Sequence, residues 1–167
     1  MSAEEERVLR GLFALAWGSD DFSEADWNNA LGGLHFVAED GRGIVGHASV
    51  VPRELHVEER PLRTGYVEAM ATRPELQNQG IGTEVLRAVN GHIVDAYELG
   101  GLDTGSDWFY RRLGWLSWKG PTSVRTADGV IRTEDEDGNI MVLPTPVSGP
   151  LDLEAPISCE WRPGDVW

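Results

Sequence analysis

Gln77, Asn78, Gln79, Gly80, Ile81 and Gly82 form the segment whose residue types and spacing bear most directly on chemistry. It follows a strand-like apolar run, residues 65–72, that carries one internal acid, Glu68, and it opens onto residues 83–90, which read as a helix. A loop of this kind turns several backbone N–H groups toward one point at a helix N-terminus, where the helix dipole is positive. A diphosphate fits there without any lysine. Gly80 and Gly82 are expected to take positive φ and so let a ligand approach the backbone closely.

The elements that must hold this loop read from hydrophobic spacing and turn residues. Ser2-x-x-Glu5 can form a capping box ahead of Val8, Leu12, Phe13, Ala16 and Trp17, a first amphipathic helix ended by Gly18. Ser23-Glu24-Ala25-Asp26 caps a short second helix through Leu31. Strands are expected near residues 34–38, 44–51 and 55–59, with Asp40-Gly41 and Pro52-Arg53 as the turns between them. A helix from about Gly82 to Leu99 places Val85, Val89, Ile93 and Ala96 on one face. A strand near Leu102, a short helix around residues 107–113 and a strand at 115–118 follow. Asp128-Gly129 and Asp137-Gly138 read as hairpin turns, and the last strands fall at 140–143 and 158–161. A strand meander followed by a βαβ crossover indicates a single α/β domain over residues 1–167.

Composition narrows the function classes. With 41% hydrophobic and 25% charged residues, the chain is expected to be globular rather than disordered. No apolar run approaches the roughly 20 residues needed to cross a bilayer, and the acidic start lacks the basic region of a signal peptide. The expectation is a cytoplasmic protein without a membrane partner. The net charge of −14, from 28 acids against 14 bases, disfavours nucleic acid and suits a cationic partner, whose local concentration a negative field would raise. Cys159 is the only cysteine, so no internal disulfide can form, and the residue reads as core. His35, His47, His56 and His92 show no metal-ligand spacing; no metal is expected.

The order Gln-x-x-Gly-x-Gly, directly after a strand with an internal glutamate, resembles the acyl-CoA signature of the GCN5-related N-acetyltransferases. Tyr110-Arg111-Arg112-Leu113-Gly114-Trp115 is similar to the late part of the same fold. Within that superfamily, residues 21–27, 31–35, 65–68 and 120–124, and above all the tail from Cys159 to Asp165-Val166-Trp167, resemble the aminoglycoside 2′-N-acetyltransferases, from about Asp20 onward. The resemblance implies a mixed, mostly antiparallel twisted sheet flanked by helices, with the family's first strand missing or shortened. It also implies a homodimer. Asp103 stands where a small serine is expected at the substrate cleft, in a loop shorter than in close relatives, and Glu136 where relatives carry aspartate.

What the resemblance implies chemically is direct attack of an amine on acetyl-CoA in a ternary complex. An ammonium has no lone pair and must first lose a proton. Glu68 would be the base, through a water; its other reading is a substrate anchor. The backbone of Met70, Ala71 and Thr72 would align the pantetheine arm, with the Met70 amide donating to the thioester oxygen. One preorganised donor of that kind is worth about 3–4 kcal/mol. Gln77, Asn78, Gln79, Gly80, Ile81 and Gly82 would grip the pyrophosphate, and Arg73, Arg87 and Arg112 are candidates for the 3′-phosphate. Tyr110 would protonate the leaving thiolate, a workable though uphill transfer for a phenol near ~10 facing a thiol near ~8.5; its other reading is packing against the cofactor. A polycationic sugar needs carboxylates. Asp21, Asp26, Asp103 and the run 134–137 are available, with Glu136 favoured by the resemblance. Glu68, Ala69, Asp165 and Trp167 complete the implied substrate set. The alternative is an N-acetyltransferase acting on another small amine or a protein amine.

Overall fold

The computed structural model describes residues 2–18, 22–41 and 43–167. Two helices open it, α1 (Ala3–Trp17) and α2 (Glu24–Leu31). Both begin with closed capping boxes, Ser2 with Glu5 and Ser23 with Asp26, so their first amides are satisfied by side chains. Then come β1 (Leu34–Asp40), β2 (Gly43–Val57), β3 (Arg60–Thr72), α3 (Ile81–Ala96), β4 (Leu99–Asp103), α4 (Asp107–Arg111), β5 (Leu116–Ser117), β6 (Thr122–Thr126), β7 (Gly129–Arg132), β8 (Ile140–Pro144) and β9 (Ile157–Glu160).

Among the described residues these strands make one nine-stranded mixed sheet in the order β5-β8-β4-β3-β2-β9-β6-β7, with β1 paired to β2. Pairing is antiparallel except for β3–β4 and β6–β9. The β3–α3–β4 unit is the expected crossover, and α1 precedes every strand, which leaves β1 at an edge.

Two expected turns are absent. Pro52-Arg53 does not break the second strand, since β2 runs unbroken from Gly43 to Val57 and pairs Pro52 with Gly65. The β1 partner ends at Val50 and the β9 partner begins at His56, so a proline at position 52 interrupts no ladder on that flank. Asp137-Gly138 is not a hairpin turn either. A 3-10 turn at Glu134–Glu136 precedes it, and β7 pairs with β6 while β8 pairs with β4 and β5. The Asp128-Gly129 hairpin stands, closed at Thr126 and Gly129.

Three cores divide the sheet. On one face α3 buries Val85, Leu86, Val89 and Ile93 against Ala48, Val50 and Val67. On the other, Leu9, Leu12, Phe13 and Trp27 of α1 and α2 cover Ile44 and Ala71. The third joins the strands around β9 to the C-terminal tail, with Trp118, Cys159 and Trp167 fully enclosed. Cys159 is thus a core residue, its thiol pushed up to about 11 chiefly by burial.

Two irregularities of β3 make room for a site. First, β3 pairs with β4 only at Thr64, Gly65 and Tyr66, so residues 67–72 have no partner on that flank and their polar groups face a gap. Second, the β2 register jumps from Ser49↔Glu68 to His47↔Ala71, which leaves Ala69 and Met70 both opposite Ala48. This bulge puts Ala69 at φ 52, in the left-handed region. A bulge of this kind re-aims side chains and leaves its extra residue outside the regular ladder.

Candidate active site

The gap between β3 and β4 opens into a cavity of about 930 Å³. Two differently built walls face it. One is the loop Gln77–Gly82 with the N-terminus of α3. Unlike α1 and α2, α3 has no side-chain cap; its N-cap is Gly80 at φ 90. The first turn closes with the Glu84 amide donating to the Gly80 carbonyl, so the amides of Ile81, Gly82 and Thr83 have no acceptor inside the helix. Free donors on a positive helix end suit a pyrophosphate. Gly82 does not take positive φ as expected; it lies inside α3, and Asn78, at φ 60, is the second left-handed residue of the loop. A Cβ on Gly82 would stand 3.3 Å from Thr72 Oγ1 and 3.4 Å from Met70 Cε, so its absence keeps the floor of this cradle open.

Met70, Ala71, Thr72, Gln77, Asn78, Gly80, Ile81 and Gly82 all line the cavity; Gln79 does not, and its side-chain Nε2 donates to the Glu75 carbonyl at 3.3 Å. Of the three arginines considered for a phosphate, Arg112 lines the cavity, while Arg73 faces Glu75 at 3.5 Å.

The second wall is acidic. Glu68 and Ala69 of β3, Asp103 at the end of β4, and Asp165 and Trp167 of the tail meet there with Tyr110 of α4. Burial pushes the Asp103 carboxyl up to about 7, helped by the negative charges of Glu136, Asp165 and Glu68, while the Thr104 amide pulls the other way. Its Oδ1 is buried and has no hydrogen-bond partner. Burial likewise raises Glu68 and Glu136. Tyr110, nearly enclosed by Phe109 and Trp115, is pushed up to about 12 by burial and by Asp103, so it keeps its proton at any physiological pH.

Other expected residues are occupied elsewhere. Asp26 is off the cavity wall: one oxygen accepts from Ser23 and the other from the Asp165 amide at 2.9 Å, so it fastens the tail to α2. Glu136 is also off the wall and acts on it through its charge. Asp21 lies outside the described residues. Trp167 lines the cavity with its side chain buried: Nε1 donates to Thr133 Oγ1 at 2.9 Å, and its main-chain oxygen accepts from Arg162.

Three residues escaped sequence reasoning. Arg162 Nη1 donates to Glu68 Oε1 at 2.5 Å, Nε to the Asp165 carbonyl at 2.6 Å and Nη2 to the Trp167 main-chain oxygen at 2.7 Å. One guanidinium thereby clamps the tail onto β3 and neutralises one acid of the wall. Its partner is 94 positions away, beyond any local pattern. Tyr66, fully buried beneath this clamp, carries the Arg53 guanidinium 4.7 Å from its ring centre. His47 shows no metal-ligand spacing in the sequence, and its role is set by the fold. Its Nδ1 donates to the Ala69 carbonyl at 2.9 Å, which fixes its tautomer and makes Nε2 the acceptor for His35 Nδ1, also at 2.9 Å. The pair braces the bulge between Glu68 and Met70. Burial drops His47 to about 4, so it stays neutral. Among the described residues no group of three or more His, Cys, Asp or Glu side chains is placed to hold a metal ion, and no helix is long and apolar enough to cross a membrane.

Comparison with known proteins agrees with this geometry. Residues 32–115 match the family model described as an acetyltransferase (GNAT) domain. An aminoglycoside 2′-N-acetyltransferase of Mycolicibacterium fortuitum is 46% identical over 153 residues, covering 88% of this chain and 77% of that one. A GNAT family N-acetyltransferase from Escherichia coli, solved in complex with CoA, superposes over 97% of this chain and 87% of its own with a TM-score of 0.69 at 14% identity. A GCN5-related N-acetyltransferase from Kribbella flavida matches 72% of this chain at a TM-score of 0.62 and 17% identity; the chain spans about a third of that protein, 33%. These two structures speak for the fold, and the Mycolicibacterium relative for the branch. The chain belongs to the GNAT acetyltransferases and, within them, to the aminoglycoside 2′-N-acetyltransferase family.

Proposed function

We infer that this chain transfers the acetyl group of acetyl-CoA to the 2′-amino group of aminoglycosides by direct attack in a ternary complex. The observation that carries the reading is the pairing of opposite walls in one cavity, an uncapped helix N-terminus for an anionic carrier and buried acids for a cationic acceptor. When bound, acetyl-CoA supplies the activated acetyl group. Gln77, Asn78, Gly80, Ile81 and Gly82 would hold its pyrophosphate, and the unpaired flank of Met70–Thr72 its pantetheine arm. The Met70 amide, on the bulge, would be the donor for charge developing on the thioester oxygen. Tyr110, protonated at neutral pH, would give its proton to the departing thiolate, a transfer that its raised pKa makes more uphill than for an ordinary phenol. Glu68, Asp103 and Asp165 draw in and orient the cations, with Glu136 adding field from behind.

Acetyl-CoA is made and used inside cells, so the reading places the enzyme in the cytoplasm. Family resemblance adds a homodimer, which light scattering tests. For the activity, purified protein is given acetyl-CoA with tobramycin or with kanamycin A. Free CoA thiol is expected with tobramycin, and NMR of the product should locate the acetyl group on the 2′ nitrogen. Kanamycin A carries a hydroxyl at that position and should not be acetylated there. Acetylation of another nitrogen, or of a peptide amine in preference, would favour a different amine as substrate.

A further inference from the structure

Two carboxylates on the acidic wall are in opposite situations. Glu68 is spoken for: its Oε1 takes a 2.5 Å hydrogen bond from Arg162, and the two side chains are 15% and 11% exposed. A proton landing on Glu68 would dissolve that pair and leave the guanidinium enclosed without its counter-ion, a costly outcome for a buried ion pair. Asp103 has no cationic partner to surrender; the Thr104 amide is the donor that favours its charged form. Asp103 lines the same cavity as Met70 and Tyr110, and its Oδ1 is enclosed without a hydrogen-bond partner.

Resting on the acetyl-transfer reading above, we propose that Asp103 is the group that takes the proton from the reacting ammonium, while Glu68, held by Arg162, anchors substrate. The groups around Asp103 suit this role. Tyr66 and Glu68 on β3, Tyr110 on α4, Glu136 in the 134–136 turn and Asp165 in the tail are all neutral or negative, and Arg162 is engaged by Glu68. Burial, with the charges of Glu136, Asp165 and Glu68 behind it, holds the Asp103 carboxyl at about 7, where a base works best at neutral pH. The ammonium loses two protons in becoming an amide. The first passes to the Asp103 carboxylate and then to solvent. The freed lone pair forms the C–N bond, the C–S bond breaks, and the electron pair leaves on sulfur. The second N–H proton ends on that sulfur, through Tyr110, which gives its own proton and regains one. The sum is amide, CoA thiol and one proton released.

The test is the pH dependence of kcat, read as CoA thiol release at saturating acetyl-CoA and tobramycin, for the wild type, Asp103→Asn and Glu68→Gln. Wild-type kcat is expected to rise with pH through a single limb near 7. Asp103→Asn should lower kcat about 100-fold, the low end for general-base catalysis, and should erase the limb. CoA affinity by calorimetry should be unchanged, which shows that the variant folds. Glu68→Gln should raise KM and keep the limb. A carboxyl carbon that titrates near neutrality in the wild type and vanishes in Asp103→Asn is the matching NMR signature. An Asp103→Asn enzyme that keeps the limb and loses only KM would make Asp103 an anchor and end the proposal, as would loss of the limb in Glu68→Gln instead. A wild type that releases no thiol with any 2′-amino aminoglycoside would overturn the acetyl-transfer reading itself, and this assignment with it.

Discussion

The two walls of the cavity are built by opposite means. The cradle at residues 77–82 is one short stretch of backbone, and its polarity comes from amides that α3 leaves uncapped. The acidic wall gathers side chains from positions 68, 103 and 165, and each is shaped by what the others do to it. A backbone site is nearly neutral toward the fold, because helix ends and turns exist anyway. A side-chain site of like charges works against the fold, because burying carboxylates together raises their proton affinity. Binding strength at the acidic wall should therefore trade against stability, whereas at the cradle the two should separate.

The largest test of that contrast removes the most strained charge. Asp103 moves from an ordinary unfolded value near ~3.9 to about 7 in the fold. A raised acid is harmless below its unfolded pKa and costs stability progressively as pH climbs to its folded pKa. About three pKa units at ~1.36 kcal/mol each set a ceiling near ~4 kcal/mol. Asp103→Asn is thus expected to be more stable than wild type at pH 8, by a margin that shrinks to nothing near pH 4 in urea titrations. His47 slopes the other way. Held neutral down to about 4, it loses stability as pH falls from its unfolded value near ~6.5, by about 3 kcal/mol in total. In the wild type these two contributions oppose each other between pH 7 and 4. In Asp103→Asn the His47 slope should be laid bare as a steeper acid destabilisation. An Asp103→Asn protein no more stable at pH 8 than at pH 4, relative to wild type, would mean that the acidic wall is not strained.

Arg162 is next. Removing one partner of a buried pair typically costs 3–5 kcal/mol, and the slight exposure of both side chains places Arg162→Met at about 3 kcal/mol. The same change releases the Trp167 main-chain oxygen and the Asp165 carbonyl. Aminoglycoside affinity should fall with stability, while CoA affinity measured on the folded protein should not. Equal loss of both would mean that the clamp organises the whole cavity rather than one wall.

What was legible in the sequence follows the same division. The cradle was readable because everything it needs lies in a few consecutive residues: a strand, a glycine at the N-cap, a helix with apolar spacing. Even there the assignment of positive φ to Gly82 failed, since Asn78 supplies the second left-handed residue and Gly82 serves by lacking a Cβ. The positions of Glu68, Asp103, Asp165 and Tyr110 on the other wall came from family resemblance, and the structure brings them together. Their chemical states were not readable, because each depends on a contact across the chain: Arg162 on Glu68, Asp26 on the Asp165 amide, Glu136 on Asp103. Pro52-Arg53 was misread for a related reason. Local turn chemistry is real, but whether a proline breaks a strand depends on which neighbours flank it, and β2 happens to have none on one side there.

On the cradle, effects should be smaller and fall differently. Gly80 sits at φ 90, which an L-residue enters at about 1–2 kcal/mol. Gly80→Ala is expected to lower stability by that amount and CoA affinity by about tenfold, one ~1.4 kcal/mol step, with aminoglycoside affinity in the binary complex unchanged. Loss of aminoglycoside binding in this variant would show the walls to be coupled through the loop.

Gly82→Ala gives the smallest change in the fold and the cleanest separation. Position 82 is helical, with ordinary φ, and alanine is favoured over glycine inside a helix by about 1 kcal/mol. The new Cβ would meet Thr72 Oγ1 at 3.3 Å and Phe109 Cζ at 3.5 Å, close contacts that a few tenths of an ångström of movement relieve. Helix propensity and crowding therefore nearly cancel, and the melting temperature should move little in either direction. The methyl group nevertheless stands where the cradle needs open backbone, beside the unpaired flank of β3. CoA affinity by calorimetry is expected to fall at least tenfold at nearly constant stability. No substitution among Glu68, Asp103 and Arg162 should do the same, because each of those side chains contributes to the fold and to the site at once. If Gly82→Ala bound CoA as well as the wild type, the pyrophosphate would have to lie elsewhere along the cavity, and the uncapped start of α3 would be a structural accident.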